Sequence, residues 1–114
     1  MTQAEHDRRI DYVEFTVGDM ESAKEFYAKV FGWKFTDYGP DYTAFEDGRL
    51  TGGFHRRGVV GSPLVIIYAV DLAAVERSVT EAGGTVVERH EFPGGRRFHF
   101  RDPSGNILAV WTDR

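Results

Sequence analysis

Glu14 stands in "IDYVEFTV" between Val13 and Phe15, a carboxylate inside an alternating apolar run. A carboxylate on such a strand needs a partner. It then takes one of two roles: a salt bridge with one of the chain's arginines, or a general base. His99, in "RRFHFRD", is the histidine whose position suits a proton donor to that base, against the plainer role of a hydrogen-bonded surface residue. Tyr12, Tyr42 and Arg97 are the other polar groups that alternation can bring to the same surface. The four histidines give no metal-ligand spacing: His6 lies in a frayed N-terminus, His55 is read as pointing outward beside Phe54, and His90 sits at the end of the strand "RHEF". "HRR" at 55–57 and "GGRR" at 94–97 read as solvated hairpin ends, or as an anion-receptive rim. The absence of cysteine excludes disulfides, thiolate zinc sites and a cysteine nucleophile.

The rest of the composition bounds the scaffold that holds these groups. A chain of 114 residues is one domain's worth, able to bury roughly two-thirds of its unfolded surface. With 41% apolar, 14% aromatic and 28% charged residues, it has the make-up of a soluble globular protein, and no apolar run reaches membrane-spanning length. The net charge of −4 is spread without a basic stripe, which argues against nucleic acid as a partner, and membranes are not expected either. "MTQAEHDRR" lacks the apolar core of a secretory signal, so a cytoplasmic location is expected.

The elements repeat. "IDYVEFTV" alternates as a half-buried strand, with Val13, Phe15 and Val17 on one side and Tyr12, Glu14 and Thr16 on the other. Asp19 caps a helix in which Ala23, Phe26, Tyr27, Val30 and Phe31 form an apolar stripe, and Gly32 stops it. Phe26, Phe31 and Trp33 are taken as packing residues. "WKFTDY", "YTAFED" and "LTGGFHR" supply three strands between Gly, Pro and Asp signals. After "RGVVGSP" the order restarts: the strand "LVIIYAV", a cap at Asp71, the helix "LAAVERSVTEAGG", then "TVVERHEF", "RRFHFRD" and "NILAVWTD". Tyr12 falls on Val65 and Val17 on Val70 at one spacing, which makes the chain a duplicated βαβββ unit.

"FTVGD", "FYAKVFGW", the "GG" of the fourth strand and the "RDPSGN" turn, in this order, resemble the vicinal oxygen chelate superfamily of glyoxalase I, bleomycin-resistance proteins and extradiol dioxygenases. The resemblance covers residues 8 to 113 or so. It implies an α+β fold: a single domain over 1–114 whose two tandem βαβββ modules, about 8–57 and 63–113, form a curved, cup-shaped mixed sheet with helices on the outer face. It also implies a homodimer. Metal-binding members take four ligands from the first and last strands of the two modules, usually His and Glu. Here those places carry over to Tyr12, Gly52 (to within a residue), Val65 and Ala109. Three of these have no donor atom, so no metal and no cofactor are expected.

By alternation the cup would be lined by Tyr12, Glu14, Val65, Ile67, Gly52, Phe54, Ala109, Trp111, His99 and Arg97, with Tyr42 at its edge and Phe98 and Phe100 turned to the helices. Tyr12, Glu14, Tyr42, Phe54, Ile67, His99 and Trp111 are then the candidate ligand-binding residues for a small hydrophobic or aromatic molecule. Two other classes fit the same residues. One is an enzyme of lyase, isomerase or dioxygenase type, using Glu14 as base with His99 or Tyr12 as acid, or a non-standard metal site; the other is an interaction module whose apolar surface takes a partner.

Overall fold

Asp19 and Asp71 start the two helices in the same way. Each accepts a backbone hydrogen bond three residues on, from Ser22 N and Ala74 N, both at 3.0 Å. A side-chain oxygen so placed satisfies one of the N–H groups that a helix start leaves open. Helix α1 spans Met20–Phe31 and ends at Gly32, whose φ of 73° is left-handed; α2 spans Leu72–Glu81. The computed structural model describes residues 2–114. Around the helices run strands β1 (Ile10–Thr16), β2 (Lys34–Asp37), β3 (Tyr42–Glu46), β4 (Thr51–His55), β5 (Leu64–Tyr68), β6 (Thr85–Phe92), β7 (Gly95–Arg101) and β8 (Ile107–Thr112). The fold is α+β, two βαβββ modules in tandem, as the repeat in the sequence requires.

The residues separate into two compact units, one of Tyr12–Leu64 and one of Val65–Arg114 together with the N-terminal residues to Asp11. In the first, the strands lie in the order β2-β3-β4-β1, with β1 and β4 parallel and the other neighbours antiparallel. One side of this sheet packs on α1. Its core is Met20, Phe45 and Phe54, extended by Phe15, Val17, Ala23, Tyr27, Trp33 and Phe35. The rings interlock: Trp33 stacks between Tyr27 and Phe45, with centroids at 4.7 and 4.5 Å. Phe26 and Phe31, expected as packing residues, are instead 54% and 60% exposed, because only the Ala23–Tyr27 edge of the α1 stripe meets the sheet.

In the second unit the order is β5-β8-β7-β6, with β5 and β8 parallel. Ala69, Leu72, Phe98 and Val110 form the core under α2, joined by Ile67, Val75, Val79, Val86 and Phe100. The N-terminal segment belongs to this unit. It forms a short 3-10 turn, Gln3–His6, and Arg8 N and Arg9 O exchange hydrogen bonds with Tyr68 at 2.8 and 3.0 Å. His6 is therefore held, its Nδ1 3.6 Å from Asp11 Oδ1.

Two strands sit one residue away from the expected facing. The caps Asp19 and Asp71 set the modules in register at a spacing one shorter than that from Tyr12 to Val65. Since side chains alternate, a single-residue slip exchanges the two faces of a strand. Ile67 pairs with Val110 and joins the core under α2, while Ile66, Ala109 and His99 share the opposite face in successive register pairs. Val65 consequently shares the helix side with Ile67. In β4, Phe54 is fully buried against α1, and Gly53, paired with Glu14, takes the other face.

Candidate functional site

The face of the first module turned away from α1 carries a polar cluster. β1 contributes Tyr12, Glu14 and Thr16, β3 contributes Tyr42, and β4 contributes His55, which pairs in register with both Thr16 and Tyr42. Glu14 is only 9% exposed. Tyr42 donates its hydroxyl proton to Glu14 Oε2 at 3.2 Å. A phenol has one proton, so in the 2.5 Å contact between the two tyrosine hydroxyls Tyr12 must be the donor. The result is a directed chain from Tyr12 through Tyr42 to the carboxylate. Burial first, then the neighbouring Tyr12 hydroxyl and Glu14 carboxylate, push the Tyr42 phenol far above its ordinary value, so it remains a donor throughout the physiological range. On the other side, His55 Nε2 lies 3.8 Å from Glu14 Oε1 and 3.1 Å from Thr16 Oγ1.

Gly53 makes this packing possible, since a Cβ there would overlap the Tyr42 hydroxyl and stand 2.7 Å from that of Tyr12. His55 does not take the outward facing expected of it: Phe54 matches Phe15 in the parallel register, which puts both rings in the core and both of their polar neighbours opposite.

The second module presents a different set on its face away from α2. Trp111 Nε1 donates to Asp11 Oδ2 at 3.0 Å, and its ring lies 5.3 Å from Tyr68 and 6.4 Å from Phe92. Arg97 pairs with Trp111 and His99 with Ala109, so the expected facing of all four holds. Beside them His90 and His99 gather on Glu88, which corrects the expectation that the histidines do not assemble. A bulge between Val86 and Glu88 sends Val86 into the core while Glu88 pairs with His99 and His90 with Arg97. His90 Nε2 is 2.7 Å from Glu88 Oε2, and His99 Nδ1 is 3.9 Å from the same oxygen. His90 beside it, then His99 and Arg97, hold the Glu88 carboxyl below its ordinary range. Arg96 and Arg97 do not form a purely cationic rim: the groove of about 390 Å³ they border with Arg77 and Arg89 also contains Glu76 and Glu91, and Arg89 is bound to Glu76 at 2.8 Å.

The model of the Glyoxalase/Bleomycin resistance protein/Dioxygenase superfamily matches residues 9–110. The chain belongs to this superfamily. No curated protein matches it in sequence. Among solved structures, a superfamily member from Vibrio splendidus 12B01 is 13% identical with a TM-score of 0.71, covering 91% of this chain and 97% of its own. Methylmalonyl-CoA epimerase from Mycobacterium tuberculosis is 15% identical with a TM-score of 0.70, covering 90% and 86%. The Mn(II)-bound glyoxalase from Novosphingobium aromaticivorans is 24% identical with a TM-score of 0.68; it covers 95% of this chain, which spans 40% of that longer protein. At these identities the likeness is one of fold. Among the described residues no helix is long and apolar enough to cross a membrane.

The superfamily's metal centre can be tested against the donor atoms present. The resemblance places its ligands at Tyr12, Gly52, Val65 and Ala109, of which Gly52, Val65 and Ala109 carry no donor side chain. Tyr12 is the one with a donor atom, and its hydroxyl is hydrogen-bonded to that of Tyr42. These positions do not fit a metal ion, which needs several lone pairs at about 2.0–2.2 Å.

Proposed function

We propose that the chain is a superfamily member that binds a small hydrophobic or aromatic molecule carrying a cationic group, on the polar face of its first module and without the superfamily's metal. The observation that carries this reading is Glu14, a nearly buried carboxylate held in place by Tyr42. A fixed carboxylate beside two phenol rings can meet an ammonium or amidinium group and the apolar body attached to it. Tyr12, Glu14 and Tyr42 are its binding residues, with His55 alongside. The reading takes residues 1–114 as one domain in the cytoplasm.

Calorimetric titration with aromatic ammonium ions and their uncharged isosteres tests it. A charge-assisted contact of about 1.5–3 kcal/mol corresponds to roughly 10- to 100-fold in affinity. The cation should therefore bind more tightly than its isostere by that factor, and Glu14→Gln should remove the difference. Tyr42→Phe, which keeps the ring and removes the donor, should weaken binding less. Equal affinity for cation and isostere, or no saturation by any of them, would overturn the reading.

The same reading includes pairing of two copies. Phe26, Val30 and Phe31 leave an apolar strip on α1, each more than half exposed. Sedimentation equilibrium should give twice the mass of 12.9 kDa, and Phe31→Glu should return the monomer; a wild-type monomer at high concentration refutes the pairing.

A further inference from the structure

The strand register of the second module assembles a set of donors that the proposed binding face does not use. Glu88 and His90 are alternate residues of β6, and His99 lies directly across from Glu88 on β7. Neighbouring antiparallel strands hold such side chains about 5 Å apart at Cβ, so the grouping is imposed by the backbone. One carboxylate oxygen and one nitrogen from each imidazole all lie within 4.8 Å of one another. The imidazole centroids are 5.2 Å apart. His90 Nε2 and His99 Nδ1 both face the same oxygen of Glu88, at 2.7 and 3.9 Å.

We propose that Glu88, His90 and His99 bind one borderline divalent ion of the zinc, nickel or copper type, using none of the residues at the superfamily's own metal positions, with His99 lying across from one of them, Ala109. Ligand atoms around a tetrahedral ion with bonds of about 2.0 Å stand about 3.3 Å apart. The two distances to Glu88 bracket that value, and the two nitrogens lie within 4.8 Å of each other, so the three side chains must draw together to close on an ion. Two imidazoles and one carboxylate form the donor set suited to these ions rather than to magnesium or calcium, which take oxygen ligands. His99, with 12% of its side chain exposed, is the inner ligand, while Glu88 and His90, at 56% and 47%, close the site from the solvent side. Three protein ligands leave a coordination position for water or an exogenous anion. Arg97, paired with His90 in register, adds a positive charge next to the site.

The experiment is a calorimetric titration of the tag-free, chelator-stripped full chain with Zn²⁺, with Mg²⁺ as control. One equivalent of Zn²⁺ should bind saturably and Mg²⁺ should not. His90→Ala and Glu88→Gln change half-exposed side chains and should weaken Zn²⁺ binding by about tenfold or more with an unchanged circular dichroism spectrum. Glu14→Gln should bind Zn²⁺ as the wild type does, which keeps this result independent of the organic ligand. In proton NMR, the His90 and His99 ring signals should shift on Zn²⁺ addition while those of His6 and His55 stay. Absence of saturable binding, wild-type affinity in His90→Ala and Glu88→Gln, or shifts confined to His6 and His55 would each overturn the proposal.

Discussion

Phe54→Ala should lower the free energy of unfolding by about 3–5 kcal/mol, the usual cost of deleting a fully buried aromatic ring. Phe54 has no exposed surface, and its ring is surrounded by those of Phe15 at 5.5 Å, Tyr27 at 5.4 Å, Phe35 at 5.5 Å and Phe45 at 5.4 Å. Four rigid neighbours on a helix and three strands cannot collapse into the space left behind, so the cavity persists and its cost is added to the lost transfer energy. Urea unfolding followed by circular dichroism measures this directly. Alternation read from Tyr12 made Phe54 a ligand contact; a variant that keeps its stability but loses ligand would restore that role.

Gly52→Ala should be comparably severe, about 3 kcal/mol, for the opposite reason. A Cβ at Gly52 would overlap the carbonyl oxygen of Val13 and the ring of Phe45. Val13 is the register partner of Gly52 in the parallel β1–β4 ladder, so its backbone cannot retreat without breaking that ladder. Phe45 is 5% exposed and is wedged against Trp33. Gly53→Ala provides the contrast. There the obstacles are the Tyr42 and Tyr12 hydroxyl ends, which can swing away, so the fold should suffer less while the hydrogen bond to Glu14 is lost. Thermal melting of the two variants side by side decides the matter: equal melting temperatures would mean that Gly52 is not pinned by backbone.

These two positions mark the boundary between what local patterns show and what they do not. The duplicated element order, the caps at Asp19 and Asp71, the stop at Gly32 and the facing of Glu14, Tyr12, His99, Arg97 and Trp111 all follow from residue types and short-range periodicity. The absence of a donor at Ala109 was equally plain, because the residue itself has none. His55 and Phe54, by contrast, take the faces opposite to those alternation predicts, and Ile67 and Val65 lie on the helix side rather than on the face that Ile66 and Ala109 share.

The α+β modules and the family they resemble were legible in the residues alone, since each depends on composition, spacing or short-range periodicity. Only the tertiary structure decided which strand faces meet, that His55 and Tyr42 converge on Glu14, and that a bulge after Val86 turns Glu88 and His90 toward His99. The physical reason is the two-residue period of a strand. One residue of register, set by partners distant in sequence, exchanges its faces, and no local pattern contains that pairing.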